Sequence, residues 1–198
     1  MLGVRHLERG PHRNSHMNRK YPEITFTDSV KERQVHFGVR DSARKMEELR
    51  MDDEQLSITE IAFIAQRDSF YMATVNEDGW PYVQYRGGPV GFLKPIDTRT
   101  LAYADYRGNR QFITMGNLRA NDRVSLFLMD YPNRKRLKVL ARTEVFDADD
   151  RPDLRKEVED PDYKGKVERI VVFHLVAFDW NCPQHITPRF TDAELGAR

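Results

Sequence analysis

The chain has 198 residues, enough for one substantial domain and cramped for two. Hydrophobic residues make up 39% and charged residues 32%, with 11 Phe, 8 Tyr and 2 Trp, so a packed aromatic interior is available and wholesale disorder is excluded. The formal net charge of +1 gives no general attraction to nucleic acid or to an anionic membrane, which makes any anion site a local feature.

No apolar run approaches the ~20 residues that span a bilayer, and the first residues lack the apolar core of a signal peptide. The expectation is a cytoplasmic protein with no membrane partner. Residues 1–20 hold five Arg or Lys against one Glu and show no apolar periodicity, which reads as a flexible basic arm ahead of a single domain over residues 21–198. Such arms mostly solvate a terminus, so no nucleic-acid partner is expected.

From Thr27 to Met51 the pattern is helical. Asp28 is the candidate cap of one helix, Gly38 breaks it, and Asp41 or Ser42 starts a second through Leu49, both expected to lie against the sheet that follows. Ser57 and Glu60 then form a capping box, with Ile61, Ile64 and Ala65 on one face, which predicts a short amphipathic helix over 58–67.

After Asp68 the spacing changes to strands, at Phe70 to Asn76 and Tyr82 to Arg86 around an Asp78-Gly79 turn, and at Val90 to Lys94 beyond Gly87-Gly88-Pro89. The two glycines suit either a simple bulge or the close approach of a ligand. Further strands are expected at Thr100 to Ala104, Arg123 to Tyr131, Arg136 to Phe146 and Arg169 to Trp180, with helices at Asn109 to Leu118 and Pro152 to Val158. Six or more strands joined by short turns make a mainly β, mostly antiparallel fold with peripheral helices, and the absence of regular β-α alternation disfavours a doubly wound sheet.

One corner suits an anion. Arg107-Gly108-Asn109-Arg110-Gln111 lies where a strand hands over to a helix, and a helix start offers unpaired N–H donors and partial positive charge. Arg110 could add a charge-assisted pair to a phosphate and Asn109 a neutral hydrogen bond; the same residues also make an ordinary turn before a solvated helix. Lone Cys182 excludes an internal disulfide, makes a structural zinc site implausible and reads as a packed thiol. His174, inside an apolar run, reads as a core histidine. No G-x-S-x-G elbow, H-E-x-x-H pair or Walker lysine occurs, and the acidic stretch Asp147 to Asp153 reads as a solvated loop.

Between Ile58 and Glu144, the stretches Tyr85-Arg86-Gly87-Gly88-Pro89, Gly91-Phe92-Leu93-Lys94, Gly108-Asn109-Arg110-Gln111 and Gly116-Asn117-Leu118 follow one another in an order and spacing that resembles the pyridoxamine 5'-phosphate oxidase-like, FMN-binding split-barrel family, in its branch of flavin-nucleotide-binding proteins. The resemblance implies an antiparallel split β-barrel that forms a homodimer with FMN at the subunit interface. It implies Arg86 and Arg110 as phosphate arginines, Lys94 near the flavin ring or ribityl chain, and Ala104 and Asp105 as the backbone segment lining the flavin. Asn109 stands where the family usually has Ser, and Gln111 where it has Lys, a lost positive charge for which Arg107, close in sequence, is the candidate replacement. Arg136 falls roughly where the partner subunit offers a polar residue to the ring.

Trp180 either stacks on the flavin, with Gln184 or His185 polar toward the ring, or anchors the core. The function implied is a flavoprotein oxidoreductase acting on an unknown small-molecule substrate, or a flavin-storing or flavin-sensing protein without turnover; a deazaflavin or haem in place of FMN stays open. Vitamin B6 oxidation is not expected, because no arginine-rich strand follows Arg169.

Overall fold

The structure, a computed structural model, describes residues 19–49, 51–180 and 182–196. The chain divides into two units, Met1–Met51 and Asp52–Arg198. Of the arm expected over residues 1–20, residues 1–18 lie outside the described residues, and Lys20 already belongs to a helix.

The first unit holds three short helices, α1 (Lys20–Thr25), α2 (Asp28–His36) and α3 (Arg40–Glu48). The cap of α2 is Thr27, one residue before the expected Asp28. Gly38 ends α2 as expected. Its φ of +69° is cheap only for glycine, and it lets the Gly38 and Val39 N–H groups donate back to the carbonyls of Val35 and Gln34, closing the helix end. Arg40 then grips Glu47 with two parallel hydrogen bonds of 2.9 and 3.0 Å along α3.

The second unit is the β domain. It opens on α4 (Ile58–Ala65), where the capping box forms: Ser57 Oγ accepts from the Thr59 N–H at 3.1 Å, and the Glu60 carboxylate accepts from the Ser57 N–H at 2.9 Å. Then come β1 (Ser69–Val75), β2 (Pro81–Gly87), β3 (Lys94–Pro95), β4 (Thr100–Tyr106), α5 (Ile113–Ala120), β5 (Arg123–Asp130), β6 (Lys135–Asp147), α6 (Pro152–Val158), β7 (Val167–Trp180) and α7 (Asp192–Gly196). The seven strands form one antiparallel sheet in the order β2-β1-β5-β6-β7-β4-β3. It curves as a mainly β split barrel, with the outer strands β2 and β3 unpaired to each other.

The main core fills the barrel, with Ile64, Phe70, Met72, Leu93, Leu126, Leu137, Val139 and Phe173 buried together. A smaller cluster on the other face of β4 and β7 packs Ala102, Ala104, Ile170 and Val172 against Val158 of α6. Fully burying each large side chain contributes roughly 1.5–3 kcal/mol.

Three expectations are corrected. Residues 90–93, expected as strand, form a loop that drops Phe92 and Leu93 into the core, and only Lys94 and Pro95 pair with β4. Gly91 makes this possible with φ +76° and a backbone so close to Ala65 that a Cβ would lie 2.8 Å from the Ala65 carbonyl oxygen. His174 is exposed rather than core, 3.4 Å from Glu144 across the sheet, because β7 turns that side chain to the outer face. Cys182 is likewise exposed, since the chain leaves the sheet after Trp180 and runs on as surface loop. Among the described residues no helix is long and apolar enough to cross a membrane.

Candidate functional site

Strand parity builds the site. Phe70, Met72 and Thr74 of β1 point into the barrel and are buried, and directly opposite them on β2 stand Arg86, Gln84 and Tyr82. Opposed residues of an antiparallel pair share a face, so the inner face of outer strand β2 is polar. On the far side, Tyr103 and Asp105 of β4 oppose Val171 and Arg169 of β7. Tyr103 stacks on Phe173 in the main core, with centroids 5.8 Å apart, and two residues further along the strand the same face turns ionic. Burial pushes the Tyr103 phenol well above its usual range, and its hydroxyl has no hydrogen-bond partner among the described residues.

The open end between these strands is bridged by α5. Thr114 donates to Gln84 Oε1 at 2.9 Å, and Asn117, three residues on and therefore on the same helix face, donates from Nδ2 to Thr74 Oγ1 at 2.9 Å. The result is a cleft of about 140 Å³ lined by the inner residues of β2, the end of β4, residues 108–115, and Glu168 and Arg169 of β7.

Its charges are arranged in pairs with a remainder. Arg169 donates to Asp105 Oδ2 from Nε at 2.9 Å, with Nη2 2.8 Å away, while Arg86 Nη1 lies 3.4 Å from Asp105 Oδ1. Arg107 donates from Nε to Glu168 Oε1 at 2.7 Å, and that contact, aided by the Arg169 and Arg110 charges, holds the Glu168 carboxyl below the usual range. Asp105 therefore serves two guanidinium groups, and Glu168 is already neutralised from outside the cleft. Arg110 makes no salt bridge among the described residues and sets its guanidinium 5.7 Å from the Phe112 ring. The buried Nε of Arg86 has no hydrogen-bond partner there either. Two cationic groups, Arg86 and Arg110, are thus left in excess of carboxylate.

The helix expected from Asn109 begins only at Ile113. Arg110 and Phe112 adopt left-handed backbone, φ +60° and +57°, which carries Asn109 to Phe112 across the cleft as an irregular segment. Asn109 Oδ1 accepts from the Gln111 N–H at 3.2 Å and so stabilises the turn. Phe112 offers no side-chain cap, so the first turn of α5 meets the cleft with no capping side chain from its N-cap among the described residues, and a helix start carries N–H groups without intrahelical partners. An uncapped helix start, two surplus guanidinium groups and an orphaned buried donor make a donor set that fits a phosphate.

Of the residues singled out in the sequence, Arg86, Asp105, Asn109, Arg110 and Gln111 line this one cleft. Ala104 and Lys94 do not. Ala104 alternates to the opposite face and packs in the smaller cluster, and Lys94, opposite Ala102, shares that face. Trp180 also stands apart: its ring meets Phe63 edge-on at 4.8 Å, and Nε1 donates to Glu60 Oε1 at 2.7 Å, the core-anchor alternative. Gln184 and His185 are exposed and do not line the cleft. Gly87 and Gly88 are approached by the chain's own rings, with Cβ positions 2.8 Å from Tyr85 and 2.7 Å from Phe92.

Sequence reasoning missed Glu168, Arg169, Gln84, Thr114 and Phe112. The one available signal was the charged pair Glu168-Arg169 at the head of an otherwise apolar strand.

A family model described as pyridoxamine 5'-phosphate oxidase matches residues 60–169, more than half of the chain. The chain belongs to the pyridoxamine 5'-phosphate oxidase family. The segment matched to the oxidase family contains every residue that lines the cleft, and Trp180 falls outside it. Among solved structures, the oxidase fold recurs in a Lactobacillus delbrueckii protein provisionally assigned as a pyridoxamine 5'-phosphate oxidase, 22% identical with a TM-score of 0.51, covering 65% of this chain and 97% of that one. An FMN-binding protein of Syntrophomonas wolfei is 14% identical with a TM-score of 0.44, covering 78% of this chain and 96% of that one. An F420 reductase is 21% identical with a TM-score of 0.42, covering 59% of this chain and 93% of that one. No curated protein matches the chain.

Proposed function

We propose that this protein binds FMN and acts as an oxidoreductase on a small-molecule substrate. The observation that carries the reading is the surplus of Arg86 and Arg110 at the uncapped start of α5, a donor set suited to a terminal phosphate. Arg110 and the α5 N–H groups would hold the phosphate, Arg86 would be kept in place by Asp105, and the exposed Gln111 side chain would offer a neutral donor. Bound FMN would supply the electron or hydride transfer, and the protein the orientation and charge. Family membership supports the same reading.

At about 140 Å³ the cleft is smaller than the roughly 300–1,000 Å³ of a site that encloses a whole small molecule, so the reading gives it the phosphate end alone. The ring would then extend beyond this chain, which favours a homodimer with FMN at the subunit interface. The outer strand β2 supports a second copy: Trp80, Val83 and Tyr85 are all exposed beside its free edge. A cytoplasmic location accords with the lone cysteine and remains part of the same proposal.

One observation favours a second reading, flavin storage or sensing without turnover. Both carboxylates lining the cleft are ion-paired to arginine, and among the described lining residues no His or Cys supplies an acid or base near neutral pH. Reconstitution with FMN followed by anaerobic mixing with NADH and NADPH separates the readings. Bleaching of the flavin absorbance within seconds supports the oxidoreductase, and retained flavin that only a chemical reductant bleaches supports storage or sensing. Titration with a deazaflavin and with haem tests the other cofactors, and tight binding of either with no FMN binding would overturn the FMN assignment.

A further inference from the structure

Beside the polar cleft lies a hollow of the opposite character. Met115 and Leu118 of α5 and Val145 and Thr143 of β6 line an open groove of about 390 Å³, together with Phe112. That volume falls within the roughly 300–1,000 Å³ of small-molecule sites, which are mostly apolar with a few placed polar groups. The polar groups here are of one sign. Arg119 and Arg169 line the groove, and no carboxylate does so among the described residues. Arg169 is committed to Asp105, whereas Arg119 is exposed and makes no salt bridge among the described residues. The groove wall also contains the buried Thr143 hydroxyl, which has no hydrogen-bond partner there.

We propose that this groove is a second ligand site, for a small amphipathic carboxylate whose apolar body lies between Met115, Leu118 and Val145 and whose charge meets Arg119. Burial of the apolar body supplies the affinity, and the unpaired guanidinium selects an anion over a neutral molecule of the same shape. The groove and the cleft share Phe112, Met115 and Arg169, so this ligand sits directly beside whatever the cleft holds. Phe112, held at φ +57° with the Arg110 and Arg169 guanidinium groups 5.7 and 5.5 Å from its ring, is the wall between the two.

The site stands independently of the flavin reading, and its test uses the full chain without added FMN. The probes are 4-phenylbutyrate and its neutral amide, titrated calorimetrically. The expected result is saturable binding of the acid, with the amide weaker by about tenfold or more, as loss of a charged contact implies. Arg119→Gln, an exposed position that leaves folding untouched, should weaken the acid by about the same factor and leave the amide unchanged. Val145→Phe, which fills the groove, should abolish binding of both the acid and the amide. Absence of saturable acid binding, equal affinity for acid and amide, or acid binding unaltered in Arg119→Gln would overturn the proposal.

Discussion

Arg169 and Asp105 face each other across the β4 to β7 pairing, with Arg169 Nε and Nη2 2.9 and 2.8 Å from the same carboxylate oxygen, while the other oxygen lies 3.4 Å from Arg86. One carboxylate thus fixes two guanidinium groups at the open end of the barrel, where both side chains are mostly shielded from water.

Removing that carboxylate charge should be costly. Asp105→Asn keeps the shape but leaves two largely buried cations facing each other, and breaking such a pair costs about 3–5 kcal/mol. Urea unfolding of the ligand-free protein should show the loss, and phosphate or FMN should restore part of it by supplying the missing negative charge. A change within about 0.5 kcal/mol, the range of ordinary surface substitutions, would mean the arginines are solvated rather than held.

The Glu60 to Trp180 contact ties α4 to the last residue of β7 and makes the Glu60 carboxyl one contributor to acid stability. Burial works to raise the Glu60 carboxyl, but hydrogen bonds from the Ser57 hydroxyl and N–H and from Trp180 outweigh it and leave the group below its ordinary value. A group depressed in the folded state gives stability that is present above its unfolded pKa and lost as pH falls through the folded one. Glu60→Gln should therefore flatten the fall in stability below about pH 4.5, near the unperturbed glutamate value. Trp180→Phe should cost about 1.5–3 kcal/mol at neutral pH through the lost charged hydrogen bond, read by denaturant unfolding. A pH profile of Glu60→Gln parallel to wild type would remove Glu60 from the account.

Two glycines separate conformational strain from steric strain. Gly79 and Gly91 have φ of +84° and +76°, but a Cβ at Gly79 meets nothing within 4 Å, while at Gly91 it would strike the Ala65 carbonyl. Gly79→Ala should cost about 1–2 kcal/mol, the left-handed penalty alone. Gly91→Ala should exceed it by at least about 1 kcal/mol, because overpacking adds to the strain. Equal losses in thermal or denaturant unfolding would show that the loop relaxes away from α4.

Much of the barrel was legible in the sequence because its signals are local. The Asp78-Gly79 turn between alternating strands produced the β1 to β2 hairpin, and Ser57 with Glu60 produced the cap of α4. What escaped depends on tertiary context. Phe92 and Leu93 look like strand residues in isolation, yet their apolar character reflects a loop plugging the core. The start of α5 was set four residues early because Arg110 and Phe112 carry no residue-type mark of left-handed backbone. Half of the cleft was readable from Arg86 and the residues around Arg110. Arg169 joins them only through the register of β4 with β7, which a single sequence does not reveal.

The central claim is that the cleft between β2, β4 and α5 holds the phosphate of FMN, and an absorbance spectrum after incubation with FMN and desalting tests it most directly. The account predicts retained flavin bands near ~370 and ~450 nm at about one flavin per subunit, with Arg110→Ala binding tenfold or more weaker, about 1.4 kcal/mol per decade, by flavin fluorescence quenching. A colourless wild-type protein, or equal FMN affinity in wild type and Arg110→Ala, would contradict it.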